Sequence, residues 1–319
     1  MYEILNDFMS PAQITMAGVM VAFLLTFVML KIPFKFLPAD QGRAFAVNGE
    51  LSKGKTRGVG LIFVFCFLVC GILFLPITME FLIYAILIMA ICLSGYLDDA
   101  ADKPWSDYKK GLIDLIISVV TMWTFVNYNS TAITIGKAVF EIPVAVYFIL
   151  GIILIWVSIN VTNCSDGVDG LCANLSIVTL ASFAITFPTE LGDYGSLCFI
   201  FIAVLMAYLY FNSSPSTMLM GDAGSRALGF FIALVAMKCG QPLVFLLFAL
   251  MLIIDGGIGL VKIFLLRFFK ISILKNTRTP LHDQARKVNK WSDSQVVFRF
   301  TLQQIIFSAV AFFLISFTR

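Results

Sequence analysis

The sequence predicts an all-α integral membrane protein, a single polytopic domain over residues 1–319. Three observations predict it. Hydrophobic residues make up 60% of the chain and charged residues only 13%, where a soluble domain carries about 25% charge. The apolar residues come in runs near the ~20 that cross about 30 Å of hydrocarbon. The runs are continuous rather than alternating, which excludes a transmembrane β-barrel.

Taken in order, ten runs qualify as transmembrane helices: residues 14–30, 59–75, 81–96, 112–126, 142–159, 171–187, 196–211, 227–237, 243–266 and 296–317. The eighth is short and bounded by glycine, so it is expected to be tilted or broken. Glu3 and Asp7, not basic residues, precede the first run. A cleaved signal peptide starts with a positive segment, so this run reads as a retained helix.

Cytoplasmic loops collect Lys and Arg. With the N-terminus outside, the inside loops hold Lys31, Lys35, Arg43, Lys53, Lys55, Arg57, Lys103, Lys109, Lys110 and Arg226, then the basic stretch from Arg267 to Arg299. The outside keeps Lys137, Lys238 and Arg319. Both termini are therefore expected outside and the polar loops inside. The seven cysteines form neither a CxxC pair nor a Cys/His cluster, so no disulfide framework or zinc site is indicated.

Four polar patches fall in the inside loops. Asp98, Asp99 and Asp102 end the third run; Asp98 and Asp102 share a face if the helix continues. Like charges at that spacing repel, which points to a cation between them. In NVTNCSDGVDG, residues 160–170, Asn160 and Asn163 precede Asp166 and Asp169, and Gly167 and Gly170 permit close backbone approach, as phosphate loops need. Asn212 is followed by MGDAGSRALG, in which Asp222 stands among glycines at a helix start. One acid of this kind suits Mg²⁺, which uses one or two carboxylates plus substrate oxygens. His282, the only histidine, lies beside Asp283 in a basic loop. Lys53, Lys55 and Arg57 beside Gly58 and Gly60, and Lys109 and Lys110 beside Gly111, read as phosphate contacts or as a plain positive flank.

No Walker-type loop, Rossmann fingerprint or Ser–His triad motif is present. Metal-assisted phosphoryl chemistry is the reading the patches jointly support. Asp255 and Lys262 lie inside the ninth run, where charges cost about 2.5–3.5 kcal/mol each. They are expected to pair with each other or to line a cavity.

These motifs resemble the polyprenyl-phosphate N-acetylhexosamine-1-phosphate transferase superfamily. DDAAD resembles its aspartate-rich motif, NVTNCSDGVDGL its Asn- and Asp-Gly-containing loop, and MGDAGSRALG its Gly–Asp–x–Gly–Ser motif. TPLHDQARK with KWSDSQVVFRF is similar to its His-rich loop and the helix that follows. The resemblance spans most of the chain and is strongest to the branch acting on UDP-MurNAc-pentapeptide. It implies transfer of that substrate's sugar phosphate to undecaprenyl phosphate, giving lipid I and UMP, with Mg²⁺ as cofactor and the site facing the cytoplasm of a bacterial cell membrane. By position it implies Asp222 as metal ligand and catalytic residue, Asp98 and Asp99 as catalytic carboxylates at the attacking phosphate, and His282 as a further catalytic residue. It implies that Lys110, Asn163, Asp166, Asp169 and Asn212 bind substrate. Expected partners are the nucleotide sugar, the lipid phosphate and the bilayer, with a second copy of the chain as a candidate and no nucleic acid.

The chain departs from that pattern in places. Asp283 and Gln284 follow His282 where the family has further histidines, and Asp114, Ile117 and Ser118 lie where it tends to carry a lysine. TRGVG stands where relatives favour a proline and paired glycines. The competing readings are a transferase for UDP-GlcNAc or another UDP-HexNAc and, from a different class, a transporter; acids at loop edges and the lack of an internal repeat argue against the latter.

Overall fold

A computed structural model describes residues 1–42 and 52–318; Arg43 and Arg319, assigned above to the two sides, lie outside the described residues. Each apolar run lies on a helix: α1 Pro11–Leu30, α2 Gly60–Phe74, α3 Met79–Asp99, α4 Asp107–Tyr128, α5 Val144–Cys164, α6 Leu171–Thr186, α7 Asp193–Asn212, α8 Gly221–Lys238, the bent pair α9a Pro242–Phe248 and α9b Leu250–Phe269, and, after the short α10 Leu281–Lys287, α11 Asp293–Thr318. Six of them, α1, α3, α4, α5, α7 and α11, are long and apolar enough to cross a membrane, and α9 makes a seventh if its halves are one span. The helices α2 and α6 are shorter.

The break expected in the eighth run falls in the ninth instead. Helix α8 is unbroken, and every residue from Gly221 to Met237 is buried. Its neighbours wrap it on all sides, so a short helix needs no apolar outer face. Helix α9 bends by 71° after Phe248 and then winds a π turn over Ile253–Gly257. The expected pairing of Asp255 with Lys262 does not form. Lys262 Nζ donates to the carbonyls of Leu274 (3.1 Å) and Thr277 (2.9 Å), and Asp255 engages His282. Lys262 thus meets the loop after α9 and Asp255 meets α10, so each charge is satisfied by a segment outside its own helix.

Glycines set the inter-helix distances. A Cβ on Gly95 of α3 would lie 2.4 Å from the Asp222 carbonyl, and one on Gly60 of α2 would lie 2.1 Å from the Gly224 amide. Membrane helices associate by such close backbone contact, because apolar surface gains nothing from burial against lipid. The result carries the end of α3 directly onto the start of α8. Ser106 caps α4 by accepting from the Lys109 amide (3.4 Å), with Asp107 in the first turn at the positive end of the helix dipole.

At the other end of the bundle, Lys238 Nζ donates to Glu80 (3.2 Å) and Asn129 (2.7 Å), tying the ends of α3, α4 and α8. Between α4 and α5 lies an antiparallel hairpin that the helical reading missed, β1 Ala132–Ile135 with β2 Ala138–Glu141, turning at Gly136 in the left-handed region (φ 59°).

Candidate active site

The acids from the first and third patches converge. Helix α3 ends at Asp99, so Asp98 and Asp99 project from its last turn, and Asp102 falls beyond it, exposed. The anticipated Asp98–Asp102 face therefore does not exist. Asp98 accepts from the Trp105 amide (2.6 Å) and pairs with Lys110 Nζ. The same ammonium donates to Asp222 Oδ2 at 3.0 Å. Two carboxylates from different helices thus share one cation.

Asp99 is held from the other side. Its Oδ2 accepts from the Ala223 amide (3.2 Å) in the first turn of α8. A Cβ on Gly221 would sit 2.1 Å from that oxygen, and Gly221 is left-handed (φ +67°), so only glycine fits there. Arg57 closes the cluster. Its Nε donates to Asp99 Oδ1 at 2.7 Å, its Nη1 to Asp40 at 3.2 Å, and its Nη2 faces Asp222 Oδ1 at 3.5 Å. Burial disfavours the Arg57 charge, but Asp99, Asp222 and Asp166 outweigh it and hold the guanidinium protonated more firmly than usual.

The second patch lies alongside. Asn163 donates to Ser225 Oγ (2.9 Å), one turn beyond Asp222. The Asp166 charge acts on Arg57. Asp169 accepts from the Ser216 amide (2.9 Å) and faces Lys55 Nζ at 3.6 Å. Asn212 accepts from the Gly170 amide and donates to the Met218 carbonyl, both at 2.8 Å. Both ends of its amide serve backbone, so it braces the loop before α8. His282 is buried, packed against Gly167, where a Cβ would come within 2.3 Å of Nε2.

The predicted residues therefore form two adjoining groups: Asp98, Asp99, Lys110, Asn163 and Asp222, then Asp166, Asp169, Asn212 and His282. Sequence reasoning grouped Arg57 with Lys53 and Lys55 as phosphate contacts or a plain positive flank, and missed Asp40. It also missed the buried pair of Arg226 on α8 with Asp114 on α4. An acid inside the fourth apolar run and a base at the edge of the eighth were the available signal for that pair.

The donor set suits a hard divalent ion. Among the described residues the cations that Asp40, Asp98, Asp99 and Asp222 pair with are Arg57 and Lys110, an excess of negative charge, and Asp98 and Asp222 already touch a common positive centre. Among the described residues no group of three His, Cys, Asp or Glu side chains forms a ready-made cage. Mg²⁺ needs only one or two carboxylates when phosphate oxygens supply the rest.

Comparison with known proteins agrees with the chemistry of this cluster. A family model described as glycosyl transferase family 4 matches residues 81–240. The phospho-N-acetylmuramoyl-pentapeptide-transferase of Treponema pallidum (strain Nichols) is 36% identical over 304 residues, covering 88% of this chain and 84% of the relative. The protein of that name from Clostridium perfringens (strain SM101 / Type A) is 26% identical over 332 residues, covering 97% and 99%. The one from Wolbachia pipientis wMel is 24% identical over 270 residues, covering 78% and 81%. The family match includes both Asp98 and Asp222, and the similarity to these transferases runs through nearly the whole bundle, so this chain belongs to glycosyl transferase family 4, in its phospho-N-acetylmuramoyl-pentapeptide-transferase group.

Proposed function

We propose that this protein transfers phospho-N-acetylmuramoyl-pentapeptide from UDP-MurNAc-pentapeptide to undecaprenyl phosphate, forming lipid I and releasing UMP, in a Mg²⁺-dependent reaction at the cytoplasmic face of a bacterial membrane. The observation that carries the reading is the sharing of Lys110 by Asp98 and Asp222, with Arg57 joining Asp99 and Asp222. Attack of a phosphate on a diphosphate brings anion to anion. Positioned cations and hydrogen-bond donors must offset that repulsion.

In this reading an oxygen of the lipid phosphate attacks the sugar-bound phosphorus, the bond from that phosphorus to the bridging oxygen breaks, and UMP leaves with that oxygen. Asp98 and Asp99 orient the attacking phosphate, or take its proton if it arrives protonated. Lys110 and Arg57 offset the charge of the phosphates, and Asp166 and Asp169 stand on the nucleotide side with Asn163. Bound at Asp222, Mg²⁺ would supply charge neutralisation at the diphosphate and its leaving group. Lysines and arginines flank the carboxylate end of the bundle, which supports a cytoplasmic site in a ten-span arrangement with both termini outside.

The test is UMP release by purified protein in detergent with undecaprenyl phosphate and either UDP-MurNAc-pentapeptide or UDP-GlcNAc. Mg²⁺-dependent release with the first is expected. Faster turnover of the second would overturn the substrate assignment.

A further inference from the structure

Asp255, like Asp114, is an acid inside an apolar run whose partner was not foreseen. It is fully buried, at 0% exposure. It lies in the π turn Ile253–Gly257, a winding often found at functional sites. Gly256 brings this turn onto the end of α5, where a Cβ would lie 2.5 Å from the Val161 carbonyl. The carboxylate is thereby fixed a few residues from Asn163 and Asp166.

Both of its oxygens engage one residue. Oδ1 accepts from the His282 backbone amide at 2.8 Å, and Oδ2 lies 2.9 Å from Nδ1 of the same ring. A carboxylate cannot donate, so the hydrogen in the second contact sits on Nδ1. The ring cannot turn over without losing that contact. Nε2 is thereby directed at Gly167, whose missing side chain makes room for it. Arg286 secures the same spot from α10 by donating to the Gly167 carbonyl (3.0 Å), and it also holds Asp283 (3.0 Å) and Asp293 (3.3 Å).

We infer that Asp255 is a positioning residue that fixes the tautomer and aim of His282, so that Nε2 faces the Asp166–Gly167 turn of the catalytic site. The inference rests on the proposed function for its kinetic consequence only. The same division of labour, a buried acid on Nδ1 and a working Nε2, operates in acid–histidine pairs of other enzymes, where an amide in place of the acid enforces the wrong tautomer.

His282 is the chain's only histidine, so protein labelled with ¹⁵N-histidine carries a single imidazole to observe. Expected is an Nδ1 that bears hydrogen in the native protein. In Asp255→Asn the amide oxygen keeps the backbone N–H, its NH₂ faces Nδ1, and the hydrogen moves to Nε2. A native ring with a bare Nδ1, or one unchanged in Asp255→Asn, overturns the inference. The kinetic arm measures UMP release. Asp255→Asn should lower kcat at least tenfold in the His282 protein and have no further effect in a His282→Asn background. Equal losses in both backgrounds would show a merely structural acid. Asp255→Ala repeats both measurements should the amide variant fold poorly. If the native protein releases no UMP, the functional reading fails, and the imidazole spectrum still decides the role of Asp255.

Discussion

Arg226 on α8 pairs with Asp114 on α4 one helical turn beyond the contact of Asp222 with Lys110. The two rungs are crossed: α4 supplies the cation to the first and the anion to the second. Four residues separate the members on each helix, so each pair of charges shares a helix face. The inner rung is buried, with side chains 3% exposed on both partners. It clamps α4 to α8 beneath the site and so fixes how far Lys110 reaches toward Asp222.

Breaking that inner rung is expected to be severe. Arg226→Leu or Asp114→Leu alone leaves an unpaired buried charge and should cost about 3–5 kcal/mol, whereas replacing both with leucine is often close to neutral. Thermal denaturation in detergent of the two single variants and the double variant checks this. A double variant as unstable as the worse single one would mean the pair is not the unit.

Asp222→Ala should lower UMP release by about 10²-fold or more, the scale for losing one charge-stabilising group in a transition state. Asp222→Glu should retain part of the rate but require more Mg²⁺. Titrating Mg²⁺ against initial rate on folded protein measures both, and unchanged turnover in Asp222→Ala would remove the metal assignment.

Arg57 makes three separate contacts, so shape matters as well as charge. Arg57→Lys keeps the charge but not the planar fork that serves Asp40, Asp99 and Asp222 together. We expect Arg57→Lys to lower kcat about as much as Arg57→Ala. Rates for Arg57→Lys equal to the native rate would reduce Arg57 to a diffuse positive charge.

Gly167→Ala would drive a Cβ against the His282 ring, and overpacking of this kind costs about 1–3 kcal/mol. Gly111→Ala meets open space within α4 and should be neutral or slightly stabilising. Melting temperatures of the two variants, read alongside UMP release, separate a steric effect from a general sensitivity to alanine.

Chelation gives the last test. EDTA should abolish UMP release, and added Mg²⁺ should restore it while Na⁺ does not. Activity that persists in EDTA would leave Lys110 and Arg57 as the only charge compensation.

Much of the site was legible because its residues sit where an apolar pattern is interrupted. Asp98, Asp166 and Asp222 stand out against their surroundings, and lipid tolerates such residues only at span ends or with partners. Arg57 and Asp40 carried no such contrast, since they lie in a loop already polar. The surroundings of Asn212 were hidden for a related reason: an amide beside a glycine-rich motif looks free in sequence, and only the fold shows its oxygen on the Gly170 amide and its nitrogen on the Met218 carbonyl. The bend in α9 was hidden because a broken helix and a straight one share the same hydropathy.

The sequence by itself determined a helical membrane protein with acidic turns between its apolar runs, because hydrocarbon demands long apolar stretches whatever the helices pack against. Only the tertiary structure decided that Asp98 and Asp222 meet across one lysine, that Asp255 serves His282 rather than Lys262, and that α9 breaks where it does. Those outcomes depend on how closely α3, α5 and α9 approach their neighbours through Gly95 and Gly256, and inter-helix distances are set by packing that no single run encodes.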